Sequence, residues 1–211
     1  YVDRTVVRSI NNPIQPMGGL VSLFGSLAPQ GAILKRSAAD PKLFETEGRA
    51  VVFSSLEDLS LRIDDPALDV EKNDILILQN AGPKSDAAMP EAGYLPIPKK
   101  LARMGVKDMV RISDARMSGT AYGTIVLHVT PEAAIGGPLA LVKNGDRIKI
   151  SVKNRSLDLL ISEEEMQNRL KQLQVKSPPT YHRGYKKLYY DTVLQADGGC
   201  DFDFLRDPSL L

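Results

Sequence analysis

Four short apolar runs limit what this chain can fold into: RAVVFS (Arg49 to Ser54), DILIL (Asp74 to Leu78), DMVRI (Asp108 to Ile112) and TIVLHV (Thr124 to Val129). Each is too short for an ordinary helix and rich in branched side chains, so each reads as a strand. DILIL does not alternate, which marks a strand buried on both faces. It is followed by Asn80, Gly82 and Pro83, so it ends in a loop, which runs to about Pro90. After DMVRI comes Ser113 to Tyr122, small and polar, a second strand-to-loop junction.

Helices fit between and after these runs. Ser55 and Asp58 form a weak capping pair ahead of a helix to Ile63, and Pro98 opens another to Met104. Thr130-Pro131-Glu132 supplies a cap, a first-position proline and a dipole-favoured acid, predicting a short helix there. Lys143 to Asp146 is a tight turn, and Arg147 to Val152 with Leu157 to Ile161 predicts an antiparallel group. Ser162 to Glu165 opens a helix to about Leu173, and a Tyr-rich helix spans Gly184 to Leu194 beyond Pro178 and Pro179. Many short strands with few short helices predict a mixed α/β domain with a β-barrel-like core.

Ser9 to Leu34 carries no charged side chain, long enough to suggest a bilayer crossing. Pro13, Pro16, Pro29 and four glycines break it, and their unpaired backbone is costly in lipid. It reads as buried, irregular backbone, and no membrane association is expected. Lys plus Arg number 27 against 26 Asp plus Glu, which gives no electrostatic reason to expect nucleic acid as a partner. One cysteine, Cys200, and two histidines, His128 and His182, supply neither a disulfide framework nor a structural zinc site. The expected compartment is reducing: the cytoplasm, or the mitochondrial matrix for a eukaryotic source. The chain opens on Tyr1 with no basic stretch before an apolar run, so no secretory signal is expected.

Two loops carry the chemistry-bearing residues. Ser113 to Thr120 packs hydroxyls, Asp114, Arg116 and Gly119 together, a set that can face an anion and that also suits a plain polar turn. No histidine lies beside it in sequence, so a Ser-His-Asp hydrolase gains little support. Gln79 to Gly93 holds Lys84, Asp86 and Glu91, and a lone carboxylate such as Glu91 is ordinarily a solvated group, though it can give one oxygen to Mg2+. If the two preceding strands are neighbours, Glu91 and Ser118 converge. His128 reads as a hydrogen-bonded core or lining histidine, and no nucleotide-loop glycine fingerprint occurs.

SDARMSGTAYGTIVLHVTPEAAIGGPLALVKNGDRI (Ser113 to Ile148), continuing through SLDLLISEEE (Ser156 to Glu165), closely resembles the C-terminal domain of the dihydroxy-acid and sugar-acid dehydratases. NNPIQPMGGLVSLFGSLAPQGAILK (Asn11 to Lys35) and NAGPKSDAAMPEAG (Asn80 to Gly93) match as well, so the resemblance covers nearly the whole chain. The tail, His182 to Leu205, looks more like the sugar-acid branch, with its arabonate and xylonate dehydratases, than the branched-chain amino-acid branch.

That resemblance implies a swivelling β/β/α domain in three parts: a Gly/Pro-rich opening segment (residues 1–47), a core (48–175) and a helical tail (176–211). It implies a hydro-lyase that removes water from a 2,3-dihydroxy acid to leave a 2-keto acid, with Mg2+ and an iron-sulfur cluster of the 2Fe-2S type. Ser118 would be the base, Thr120 would contact substrate and Glu91 would ligate Mg2+. In that family the cluster cysteines and remaining Mg2+ ligands belong to a preceding N-terminal domain, so this chain would hold half of an active site. By itself it is expected to fold, to be inactive, to bind no cluster and to expose an apolar patch where that domain docks. The assembled protein is expected to be a homodimer or homotetramer. The Glu91 loop reads KSDAAMPE where the family generally has KGxPGMPE. Alternatives are a dihydroxy-acid dehydratase of branched-chain amino-acid synthesis and a non-catalytic anion-binding module of the same fold.

Overall fold

The structure is a computed structural model that describes residues 3–91, 95–175 and 180–206. Eight strands form one sheet: Val21–Leu23 (β1), Gly31–Leu34 (β2), Glu45–Phe53 (β3), Ile75–Leu78 (β4), Arg111–Ser113 (β5), Ile125–Thr130 (β6), Arg147–Ser151 (β7) and Ser156–Leu159 (β8). Their order is β1-β2-β6-β5-β4-β3-β7-β8. A parallel bridge from Phe24, just past β1, to Ser156 of β8 brings the two edges together. The sheet is thereby nearly a closed barrel, in the mixed α/β class that the short runs predict.

The four runs are the heart of this sheet, with β3, β4, β5 and β6 pairing in parallel from one to the next. Strand alternation divides their side chains between two cores. Ala50, Val52, Ile75, Ile77, Ile112 and Val126 join Leu23, Ile148, Ile150 and Leu157 in one. Val51, Phe53, Leu76, Leu78, Ile125 and Leu127 face the other, with Leu59, Ile63 and Leu101. The latter side is covered by two short helices, Leu56–Arg62 (α1) and Lys99–Arg103 (α2). The Ser55 hydroxyl caps α1 by accepting from Asp58 N at 3.2 Å. Glu163–Gln172 (α3) starts on Ser162 as the capping signal predicts, and Gly184–Thr192 (α4) is the Tyr-rich helix. Pro178 and Pro179 lie outside the described residues. Among the described residues no helix is long and apolar enough to cross a membrane.

Three expectations need correction. The uncharged stretch from Ser9 is not buried throughout: Ser9 to Leu20 is exposed, and only from Val21 does it enter the sheet as the β1–β2 hairpin. Val6, Val7, Ile10, Ile14, Met17 and Leu20 are 61% to 93% exposed, which leaves a bare apolar segment beside the barrel. Nor does Pro131 begin a helix. The Thr130–Pro131 peptide is cis, Glu132 is extended, and a single 3-10 turn starts at Ala133 because the Glu132 side chain turns inward instead of meeting a helix dipole.

DMVRI is in register only from Arg111, because Asp108 serves another purpose. Its carboxylate accepts from Thr124 N and Oγ1, from Met109 N and from Asp40 N, and pairs with Arg111 Nη2 at 3.2 Å. Both members of the pair are 8% exposed. Gly123, at φ +97°, packs against this guanidinium, and a Cβ there would lie 2.0 Å from Arg111 Nη2. Removing one partner of such a buried pair strands the other. Asp108→Ala is therefore expected to cost about 3 kcal/mol of unfolding free energy. Denaturant titration of the variant checks this, and a loss under about 1 kcal/mol would show the arginine finding water instead.

Candidate active site

Because β4, β5 and β6 run parallel, their connections leave from the same end of the sheet, where α/β proteins bind ligands. Asp114, the first residue after β5, is buried and joins all three: Oδ1 accepts from Ala81 N and Oδ2 from Ala133 N, each at 2.9 Å. Burial pushes this carboxyl up to about 6 against the pull of those donors.

From Asp114 the chain doubles back to the start of β6, presenting Ser118. Met117 N donates to His128 Nε2 at 2.9 Å, and His128 N donates to Ala115 O, which fixes the segment leading to the serine. His128 sits at φ +56° in an irregular stretch of β6, so its ring turns toward the loop. Burial, and then Arg116, lower its basicity, in keeping with a neutral ring accepting at Nε2. This is the hydrogen-bonded lining histidine that the sequence suggests, though its partner lies eleven positions away and no spacing announces it.

Ser118 Oγ lies 3.0 Å from Thr120 Oγ1 and accepts from Thr120 N at 3.2 Å. Lys35 Nζ donates to Gly119 O at 2.5 Å, tying the same turn to β2. Pro90 O accepts from Arg116 N, and a parallel bridge joins Glu91 to Arg116, so the loop after β4 runs alongside the loop after β5. The three predicted residues, Ser118, Thr120 and Glu91, line one cleft of about 210 Å3, with Arg111 and Tyr122 in its wall. The loop beyond Glu91 to Gly93 lies outside the described residues.

Glu91 is half exposed, and its Oε1 lies 3.3 Å from Arg116 Nη1. Such an exposed pair is weak, so a stronger partner can displace it. Among the described residues no group of three or more His, Cys, Asp and Glu gathers to hold a metal. One carboxylate nevertheless fits a single Mg2+ ligand, since Mg2+ takes one or two carboxylates and keeps several waters. An iron-sulfur cluster does not fit: Cys200 is the chain's one thiol, and its Sγ donates to Met89 Sδ at 3.2 Å.

A second buried carboxyl, which no local pattern announces, lies behind the Glu91 loop. Glu132 Oε1 accepts from Lys84 N at 2.8 Å and from Gln195 Nε2 at 2.5 Å, while Oε2 is buried without a partner. Burial pushes Glu132 up to about 7, and Asp114 adds to the rise. Gly82 packs against it so tightly that a Cβ would meet Oε2 at 2.1 Å.

The chain matches the family described as dihydroxy-acid/6-phosphogluconate dehydratase, C-terminal, over residues 5–200. It is 50% identical to an L-arabonate dehydratase of Azospirillum brasilense, over 96% of this chain and 36% of that protein. It is 49% identical to a 6-deoxy-6-sulfo-D-gluconate dehydratase of Pseudomonas putida, over 97% of this chain and 36% of that protein. A dihydroxy-acid dehydratase of Carboxydothermus hydrogenoformans is 41% identical over 93% of this chain and 35% of its own length. The chain thus spans about a third of the length of these relatives.

Asp114 and Glu132 set a pH dependence. Both carboxyls are raised on folding, so the folded state holds more protons than the unfolded chain and stability falls as pH rises. The gain is complete below the unfolded values, near 4, and lost as pH climbs through about 6 and about 7. Carboxylates lowered by partners, such as Asp58 and Asp146, are ionised in both states across most of that window and contribute little there. Tm is expected to drop from about pH 5 to about pH 8, and Glu132→Gln, which cannot ionise, to flatten the upper half of the drop. Differential scanning calorimetry of both proteins checks it; parallel curves would place the proton elsewhere.

Proposed function

Because the chain belongs to the dihydroxy-acid/6-phosphogluconate dehydratase family as its C-terminal domain, we propose that it supplies the proton-abstracting half of a hydro-lyase acting on a 2,3-dihydroxy sugar acid. The product is a 2-keto-3-deoxy acid. The observation that carries this reading is the opening of Ser118, Thr120 and Glu91 onto one cleft. The higher identity to the sugar-acid enzymes, 49% and 50% against 41%, favours an aldonate over a branched-chain dihydroxy acid.

Ser118 Oγ, as its alkoxide, takes the C2 proton; the C–H electron pair becomes the C2–C3 double bond as the 3-hydroxyl leaves with its bonding pair, takes up that proton to depart as water and returns Ser118 to its alkoxide, and the enol tautomerises to the ketone. An ordinary serine hydroxyl is far too weak a base for this at neutral pH. Thr120 assists on the chain's own side: its N–H donates to Ser118 Oγ and its hydroxyl is within donating distance, and both bonds favour the anion. The Thr120 side chain, exposed at the cleft, also meets the substrate. Glu91 would hold Mg2+, which when bound supplies positive charge to the substrate carboxylate and the electron-rich intermediate. No step runs through an iron-sulfur cluster on these residues; its ligands, like the other Mg2+ ligands, come from an N-terminal domain. That domain docks on the bare apolar segment from Val6 to Leu20, in a homodimeric or homotetrameric cytoplasmic enzyme.

Assay of the complete protein on an aldonic acid and on 2,3-dihydroxyisovalerate tests the substrate class, with turnover expected on the former. Ser118→Ala is expected to lower kcat by ~10²-fold to 10⁴-fold and to move KM by about tenfold or less. Glu91→Gln is expected to weaken Mg2+ dependence and substrate binding together. Steady-state kinetics at matched metal content decide it, and wild-type kcat in Ser118→Ala would remove the serine from the reaction. If Ser118 only shapes a turn, the loss is about 1 kcal/mol of stability with turnover intact.

A further inference from the structure

The Glu91 loop is held from behind by the chain's C-terminal segment. Gln195 meets Glu132 twice: its Nε2 donates to Glu132 Oε1 at 2.5 Å, and its Oε1 accepts from Glu132 N at 3.0 Å. The same Glu132 oxygen receives Lys84 N at 2.8 Å. From α4, Tyr190 OH donates to Ser85 O at 3.0 Å, and Lys84 Nζ returns a bond to Tyr190 O at 2.6 Å. The loop then closes on itself, with Ala88 N donating to Ser85 O and Met89 N to Gly82 O, before Pro90 and Glu91 meet Arg116. Glu132 is thus a buried carboxyl that touches both the tail and the base of this loop, and the proton transfer uses it nowhere.

We propose that Glu132 and Gln195 form a clasp through which the C-terminal segment sets the position of the Glu91 carboxylate. Glu132 is then a positioning residue, and the assignment rests on the reading of Glu91 as a Mg2+ ligand. The clasp bears on the Glu91 loop through Lys84, whereas the segment leading to Ser118 is held at its own end by Met117 N on His128 Nε2. Loss of the clasp therefore separates metal and substrate binding from proton abstraction.

The complete protein carries the test, with Gln195→Ala, Glu132→Ala and the conservative Glu132→Gln, which keeps an oxygen for Lys84 N and Gln195 Nε2. In Gln195→Ala, amide hydrogen exchange over residues 82–91 is expected to quicken, and the Mg2+ half-saturation and KM to rise about tenfold or more. Its kcat is expected to stay within about threefold of wild type. Glu132→Gln is expected to restore wild-type exchange and binding, which Glu132→Ala does not. If Glu132→Ala fails to fold, Gln195→Ala carries the comparison. Wild-type exchange in Gln195→Ala overturns the clasp, and faster exchange with unchanged KM and Mg2+ response overturns its positioning role. Should wild type turn over no sugar acid, the proposed function falls, while exchange still judges the clasp.

Discussion

Asp114 is the joint on which the site depends. A carboxylate taken out of water is costly unless donors replace the lost hydration, and here the donors are two backbone amides from different loops. Ala81 follows β4, Asp114 follows β5 and Ala133 follows β6, so one side chain makes three connections move as one body. The parallel sheet makes this possible by delivering the three strand ends side by side. Without the joint, the barrel would still present loops at one end, but no single side chain would tie all three connections together.

The two halves of the cleft are finished to different degrees. Ser118 is 9% exposed and held on both sides, by Met117 on His128 before it and by Thr120 after it. That is what a group asked to carry developing charge needs, since donors already in place require no reorganisation as charge develops. Glu91 is half exposed, and its carboxylate pairs with an equally exposed arginine. On the proposed reading of Glu91 as a Mg2+ ligand, the contrast follows from donor supply: one carboxylate cannot fix a divalent cation, so it must stay accessible to further ligands.

Much of the fold was legible because its signals are local. The period-two and all-apolar runs gave the strands, Ser55 and Ser162 gave two helix starts, and the Asn80 and Ser113 breaks gave the two loops that carry the cleft. Asp108 reads as strand but lies before it, because its worth lies in partners at Asp40 and Thr124, which no short window around it contains. The exposure of Ser9 to Leu20 was missed for a related reason: an uncharged composition says what a segment can bury against, and the surface it would bury against is not supplied by the barrel. Glu132 reads as a helix-start acid, and its contacts with Lys84 and with Gln195, 63 residues on, turn it into a buried strut.

The Glu91 loop also separates residue preference from backbone path. The resemblance places glycine where this chain has Ala88, and Ala88 stands at φ +49° with Met89 at φ +56°, the region that glycine enters without strain. The chain takes a left-handed path here without the residue that makes one easy. What holds it are contacts: Ala88 N on Ser85 O, Met89 N on Gly82 O, and a buried Met89 side chain receiving the Cys200 thiol. A left-handed alanine costs about 1 kcal/mol, within reach of two backbone bonds and one buried side chain. Those contacts fix the approach to Glu91 without the glycine that would make the turn easy.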